Sequence, residues 1–205
     1  MPTTVIPHVP ACCNTAPFES EYAPKGTFER IGDLPVYFVG EKGSKAVLPA
    51  LRRSLPRMGD FFRGDPWIKM PLVMSELMDH LNRTVPWPVV DTDMKSVTAH
   101  LRAEGASSVG AIGLCWSAGQ VARGPLEGAF DAIAAAHPWQ VNKQVLTPVP
   151  CPIALLPSND LLEVFETMGH GFLAARANYA NEDNARCARE ALTILAKFFH
   201  ENLKA

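Results

Sequence analysis

The chain has 205 residues, 47% of them hydrophobic, with a formal net charge of −2 and a pI near 6.3. That length fits one domain, or a domain with a small extension, and the apolar share supports a real core. The near-neutral balance, with no dense Lys/Arg cluster, argues against a nucleic-acid partner. No run of about 18 apolar residues exists to span a bilayer.

In chain order, residues 1–26 are rich in proline and lack periodicity, which predicts an extended arm ahead of a single domain over 27–205. The first 20 residues show no charged start followed by an apolar run, so no secretory signal is read there. Thr27–Ile31 and Leu34–Val39 flank Gly32-Asp33 as a predicted hairpin. Lys45–Leu48 reads as the next strand. Pro49 to Met58 is short, basic and bounded by prolines, with room for two helical turns at most. Phe61-Phe62-Arg63-Gly64-Asp65-Pro66-Trp67 reads as a loop. Residues 71–83 have helical spacing, with Leu72, Leu77, Met78 and Leu81 on one side. Asp91-Thr92 caps a second predicted helix that turns Met94, Val97, Thr98 and Leu101 inward and ends at Gly105.

Val109–Leu114 is a predicted buried strand, and a helix opens at Ser117–Val121. Ala132–Ala136 and Ile153–Leu156 are further strands, followed by His137-Pro138-Trp139 and by Pro157-Ser158-Asn159-Asp160. Val164–Met168 reads as a strand ending at Gly169-His170-Gly171. The clearest helix runs from Asp183 to about Asn202, capped by Asn181 or Asp183. Its expected apolar face is Ala188, Leu192, Leu195, Phe198 and Phe199. Strands alternating with helices predict an α/β fold, mostly a parallel sheet flanked by helices.

The chemistry centres on Gly113-Leu114-Cys115-Trp116-Ser117. A strand, a sharp turn and a helix start fit a nucleophile elbow, written Gly-x-nucleophile-x-Gly, with Cys115 as nucleophile and Ser117 in the second glycine slot. A helix N-terminus behind the thiol favours its thiolate. The alternative is a buried free cysteine at a strand end. An elbow cysteine needs a base and a group that orients the base, in the chain order nucleophile, acid, histidine. Cys115, Asp160 and His170 occur in that order, each after an apolar run. Asp160 also reads as a turn or capping residue, and His170 as a turn histidine. His137 is the rival base, with a structural or pocket-lining role as its other reading. His8, His80, His100 and His200 are read as surface residues.

The five cysteines, Cys12, Cys13, Cys115, Cys151 and Cys187, include no Cys-x-x-Cys pair. They fit neither a disulfide framework nor a zinc site, and a reducing cytoplasm suits them. No ligand cluster or phosphate loop calls for a metal or an organic cofactor.

Several motifs together resemble the dienelactone hydrolase (carboxymethylenebutenolidase-like) family of the α/β-hydrolase superfamily. They are Gly113-Leu114-Cys115-Trp116, Phe61-Phe62-Arg63-Gly64-Asp65, Ala136-His137-Pro138, and His170-Gly171-Phe172 with Arg176. The opening from Cys12-Cys13 through Pro24-Lys25-Gly26 and the run Ala185–Ala191 into Phe198-Phe199 are similar too. The resemblance implies hydrolysis of a lactone or small ester through a Cys115-His170-Asp160 triad. It also implies an oxyanion donor at the Trp116 N–H, and Arg176 and Arg63 as ligands of an acidic substrate. Both arginines read equally as solvated surface residues.

The chain departs from that family in two places. Between the strand at 45–48 and the Phe61 loop stand twelve residues, Pro49 to Asp60, too few for a parallel crossover with its helix and strand. A helix–strand unit is therefore expected to be lost after residue 48, and with it the second oxyanion donor. Nine residues separate Asp160 from His170, so a helix near 161–168 is expected to be lost as well. The expectation is a reduced hydrolase acting on a small lactone or ester, with impaired turnover. The alternatives are a catalytically silent small-molecule-binding relative and a cysteine redox sensor using Cys115 with Cys12-Cys13. The sequence leaves the oligomeric state open.

Overall fold

The computed structural model describes residues 26–38, 45–50, 58–69, 71–124, 128–139, 141, 143–156, 165, 167–169, 171–174 and 176–204. The arm over 1–26, with Cys12, Cys13 and His8, lies outside them except for Gly26.

Strands β1 (Thr27–Ile31) and β2 (Leu34–Phe38) form the expected antiparallel hairpin, in which Thr27 faces Phe38 and Ile31 faces Leu34. Gly32 takes φ +63° in the turn, a conformation cheap only without a Cβ. Strand β3 (Lys45–Ala50) runs two residues further than expected. A two-residue strand, β4 (Met58–Gly59), adds antiparallel to β2. The hairpin and β4 make one sheet; β3, β5 (Ser108–Leu114), β6 (Ala132–Ala136) and β7 (Ile153–Leu156) make a second, wholly parallel one. In it, Val47 pairs with Gly110, Ile112 with Ala134, and Ala135 with Leu155. Strand β4 also approaches β3, so the two sheets abut.

Helices α1 (Met74–Thr84), α2 (Trp87–Ala103) and α3 (Ser117–Arg123) cover one face. Helix α4 (Lys143–Leu146) is one turn, and α5 (Glu182–Asn202) covers the opposite face. The period-2 alternation of β5 and β6 sorts the two cores. Val109, Ala111 and Ile133 pack with Val90, Met94 and Val97, whereas Ala132, Ala134 and Ala136 pack with Ala188, Ala191 and Leu195. Small strand residues let the helices come close. A Cβ on Gly110 would stand 2.6 Å from the Phe199 ring, so the empty position is the seat of that ring.

Four expectations need correction. Helix α2 starts at Trp87, with Pro86 at the N-cap, not at Asp91-Thr92. The fixed φ of Pro88 suits the first helical turn, and the Asp91 carboxylate instead pairs with Lys95 one turn on. Leu192 is exposed, because the buried stripe of α5 follows Ala188, Ala191, Leu195 and Phe199 and passes beside it. The described residues of 164–168 are not strand. Phe165 and Met168 are both buried against Phe172 and Leu173, and the Met168 N–H bonds the Phe165 carbonyl at 2.9 Å. A strand would send residues three apart to opposite faces. His80 is not on the surface: it is 7% exposed, its ring stacked on Phe62 and met edge-on by Trp67. The helix expected to be lost near 161–168 falls largely outside the described residues.

Candidate active site

Cys115 sits between the last residue of β5 and the start of α3, with φ +58°. A side-chain-bearing residue in left-handed backbone costs about 1–3 kcal/mol and persists where its surroundings over-determine it. Three local features do so. A Cβ on Gly113 would lie 2.5 Å from the Ala118 Cα, so the helix closes on the strand only over glycine. Ser117, in the slot where the elbow pattern has its second glycine, is buried. Its Oγ accepts the Leu114 N–H and donates to the Leu114 carbonyl, both at 2.8 Å. The loop after β6 then clasps the turn: the Cys115 N–H bonds the Ala136 carbonyl at 3.2 Å and its carbonyl takes the Trp139 N–H at 3.0 Å. The thiol is half-buried rather than sealed among aliphatic side chains.

Trp116 follows in helical conformation. Among the described residues no acceptor takes its backbone N–H.

Asp160, with the residues on either side of it, and His170 lie outside the described residues; Gly171 and Phe172, after His170, are described. Gly171 has φ +93°, and the ring of Phe172 meets that of His137 edge-on at 6.1 Å. His137 directly follows Ala136, whose carbonyl holds the Cys115 N–H. The elbow and the Gly171–Phe172 turn thus lie toward the same, carboxyl end of the sheet. His137 itself is 1% exposed, at φ +35°, and its N–H bonds the Leu156 carbonyl at 2.7 Å. That burial fits the structural reading of this histidine.

The two arginines part company. Arg176 folds over the Gly171 turn: its N–H bonds the Gly171 carbonyl at 3.2 Å, and its guanidinium lies 3.2 Å from where a Gly171 Cβ would stand. Arg63 is committed elsewhere, against expectation. Its Nε and Nη2 donate to Asp33 at 3.0 and 2.9 Å, and its Nη1 and Nη2 to Asp93 at 3.1 and 3.0 Å. Its Nη1 also donates to the Phe61 carbonyl at 3.2 Å. A guanidinium has five N–H donors, so none remains for a substrate carboxylate. The hydrogen bonds from Arg63 hold the exposed Asp33 carboxyl below its usual range. Burial outweighs the same guanidinium at Asp93, whose pKa is raised; the two carboxylates raise that of Arg63. Asp93 was legible as an anomaly, a carboxylate between Val90 and Met94 on the inward face of α2. Nothing local named its partner thirty residues away.

Among the described residues no cluster of His, Cys, Asp or Glu is placed to hold a metal ion. No helix among them is long and apolar enough to cross a membrane.

A parallel sheet whose central strand ends in a left-handed cysteine at a strand–helix turn defines the α/β-hydrolase class of architecture. No protein-family model matches the chain. Two proteins of Schizosaccharomyces pombe, both described as uncharacterized AIM2 family proteins, are similar along nearly all of it. One is 25% identical over 246 residues, covering 93% of this chain and 98% of its own. The other is 23% identical over 246 residues, with 92% and 98% covered. Each alignment is longer than this chain, so the relatives carry residues without a counterpart here. Among solved structures, a Klebsiella pneumoniae protein assigned as a dienelactone hydrolase superposes with a TM-score of 0.56 at 12% identity, covering 82% of this chain and 92% of that one. A dienelactone hydrolase-like promiscuous phosphotriesterase from metagenomic libraries gives 0.58 at 11% identity, with 88% and 98% covered. The chain carries the dienelactone hydrolase fold in shortened form.

Proposed function

We propose that the protein is a cysteine-dependent hydrolase of lactones or small carboxylic esters. The observation that carries the reading is Cys115 held at φ +58° at the end of the central parallel strand. In this reading His170 takes the Cys115 proton as Sγ attacks the substrate carbonyl, and Asp160 orients the imidazole. The Trp116 N–H receives the developing oxyanion. Collapse of the tetrahedral adduct expels the alkoxide, which takes the proton from His170 and leaves a thioester. Water, deprotonated by His170, then attacks the thioester and restores the thiol. No metal or organic cofactor enters this chemistry. Arg176, packed over the Gly171 turn, is the arginine that the family resemblance assigns to an acidic substrate.

The second oxyanion donor of this fold would come from the segment after β3, and residues 51–57 lie outside the described ones. One missing donor lowers turnover by roughly 10²–10³. The test is hydrolysis of p-nitrophenyl acetate and of a cyclic lactone by wild type, Cys115→Ala and His170→Ala. The wild type is expected to exceed both variants by at least about 10³. Folded wild type and folded Cys115→Ser that are equally inert defeat the hydrolase reading and leave a binding protein on a hydrolase fold.

A further inference from the structure

Arg63 stands at φ +50° in the tight turn after β4, where its N–H bonds the Asp60 carbonyl at 2.9 Å and the Asp65 N–H bonds the Phe62 carbonyl at 2.9 Å. Its guanidinium ties that turn to the β1–β2 hairpin through Asp33 and to α2 through Asp93. Each residue around Arg63 has a fixed place. Phe61 is buried in the core. Phe62, half-buried, lies 5.7 Å from the ring of Trp116, the residue after the nucleophile. The other side of Phe62 rests on His80, with ring planes 7° apart and centroids 6.0 Å apart. His80 is locked in turn, since its Nε2 lies 3.0 Å from the Asp65 carbonyl, which only accepts.

We propose that Arg63 is a positioning residue: held between Asp33 and Asp93, it fixes Phe62 against Trp116 as an aromatic wall at the elbow, so that the site favours substrates with a flat apolar group. This rests on Cys115 being the nucleophile. Two half-buried rings, braced by stacking and by a clamp with no free donor, form a surface that does not rearrange on binding. Such a surface rewards a planar apolar partner through area and ring–ring contact. It offers no charge to a carboxylate, because the nearby guanidinium is already neutralised twice.

The experiment compares two alkylating reagents with the same reactive group, iodoacetamide and its N-phenyl derivative, on the full chain. Labelling of Cys115 and of N-acetylcysteine is followed separately by mass spectrometry, with a melting curve for each variant. In wild type the phenyl reagent is expected to modify Cys115 about tenfold faster than the small one, the discrimination a formed apolar pocket supplies. N-acetylcysteine free in the same solution serves as the reference with a ratio near one. Phe62→Ala and Arg63→Ala bring the Cys115 ratio down to that of the free thiol. Asp33→Ala removes one side of the clamp, leaves Asp93 paired, and lowers the ratio part-way. A purely structural role would change both rates together and leave their ratio standing. An unchanged ratio in Arg63→Ala, or in Asp33→Ala where Arg63→Ala does not fold, overturns the proposal. So does a wild-type Cys115 that reacts with both reagents without preference; the nucleophile reading then survives. A folded wild type whose Cys115 reacts with neither reagent removes both.

Discussion

The elbow at Cys115 and the turn at Arg63 each hold a side-chain-bearing residue in left-handed backbone, at φ +58° and +50°, by opposite means. The elbow is closed by uncharged contacts: the Ser117 hydroxyl on Leu114, backbone bonds to Ala136 and Trp139, and a glycine that lets α3 in. The Arg63 turn is closed by charge, across contacts thirty residues apart in sequence. The first device combines a local turn with backbone bonds to the loop after the neighbouring strand, and it is insensitive to salt. The second exists only after the hairpin, the turn and α2 have met. The Cys115 thiol is thus carried on the uncharged device, while the Phe61–Asp65 turn hangs on the charged one.

The largest expected effect falls on the charged device. Arg63→Ala leaves the Asp93 carboxylate, 8% exposed, without its cation. An uncompensated buried charge costs about 3–5 kcal/mol, read as a lowered urea midpoint. Adding Asp93→Val to that variant is expected to restore most of the loss. Failure to do so would show that Arg63 stabilises the fold by something other than this pair. Next comes Gly113→Ala, whose new Cβ meets backbone atoms of Ser117 and Ala118. It should cost about 1–3 kcal/mol and slow Cys115 alkylation, because α3 must back away. Ser117→Ala removes a hydroxyl that serves two backbone groups. A loss of about 1–2 kcal/mol is expected, unchanged between low and high salt, whereas the Arg63→Ala loss shrinks as salt rises.

The smallest effect is alkaline. Burial, with Asp131 nearby, pushes the Cys151 thiol up to about 11 from its ordinary 9.0. Above pH 9 the unfolded chain gives up that proton first, so the native state binds more protons and stability falls as pH rises. The decline should level off near pH 11, where the native thiol ionises too. Cys151→Val should flatten it; a slope identical in the variant would assign the decline to other groups.

What the sequence revealed follows the same division. The strand, turn and helix around Cys115, the cap at Asn181 and the β1–β2 hairpin were legible because their causes are local: an apolar run, a side chain three residues from the amide it caps, a Gly-Asp turn. Asn181 does accept the Asn184 N–H, at 2.9 Å. The start of α2 was misplaced because Asp91-Thr92 looks like a cap, while prolines at 86 and 88 both suit a helix start. Arg63 looked like a substrate ligand, and His80 like a surface histidine, since their partners come from distant segments. The order Cys115, Asp160, His170 is readable from the chain; the distances among them are a tertiary property that spacing does not contain.

The Phe199 ring, carried by α5, fills the space left by Gly110, in the strand that leads to Cys115. During synthesis on the ribosome, β5 therefore emerges long before the element that shields one of its faces. Until that helix is released, the nascent chain exposes a flat, small-residue ribbon of the kind that invites mispairing. The order of synthesis thus leaves one face of β5 to be covered only when α5 packs, and variants that lose Phe199, by truncation or as Phe199→Ala, should be recovered largely insoluble.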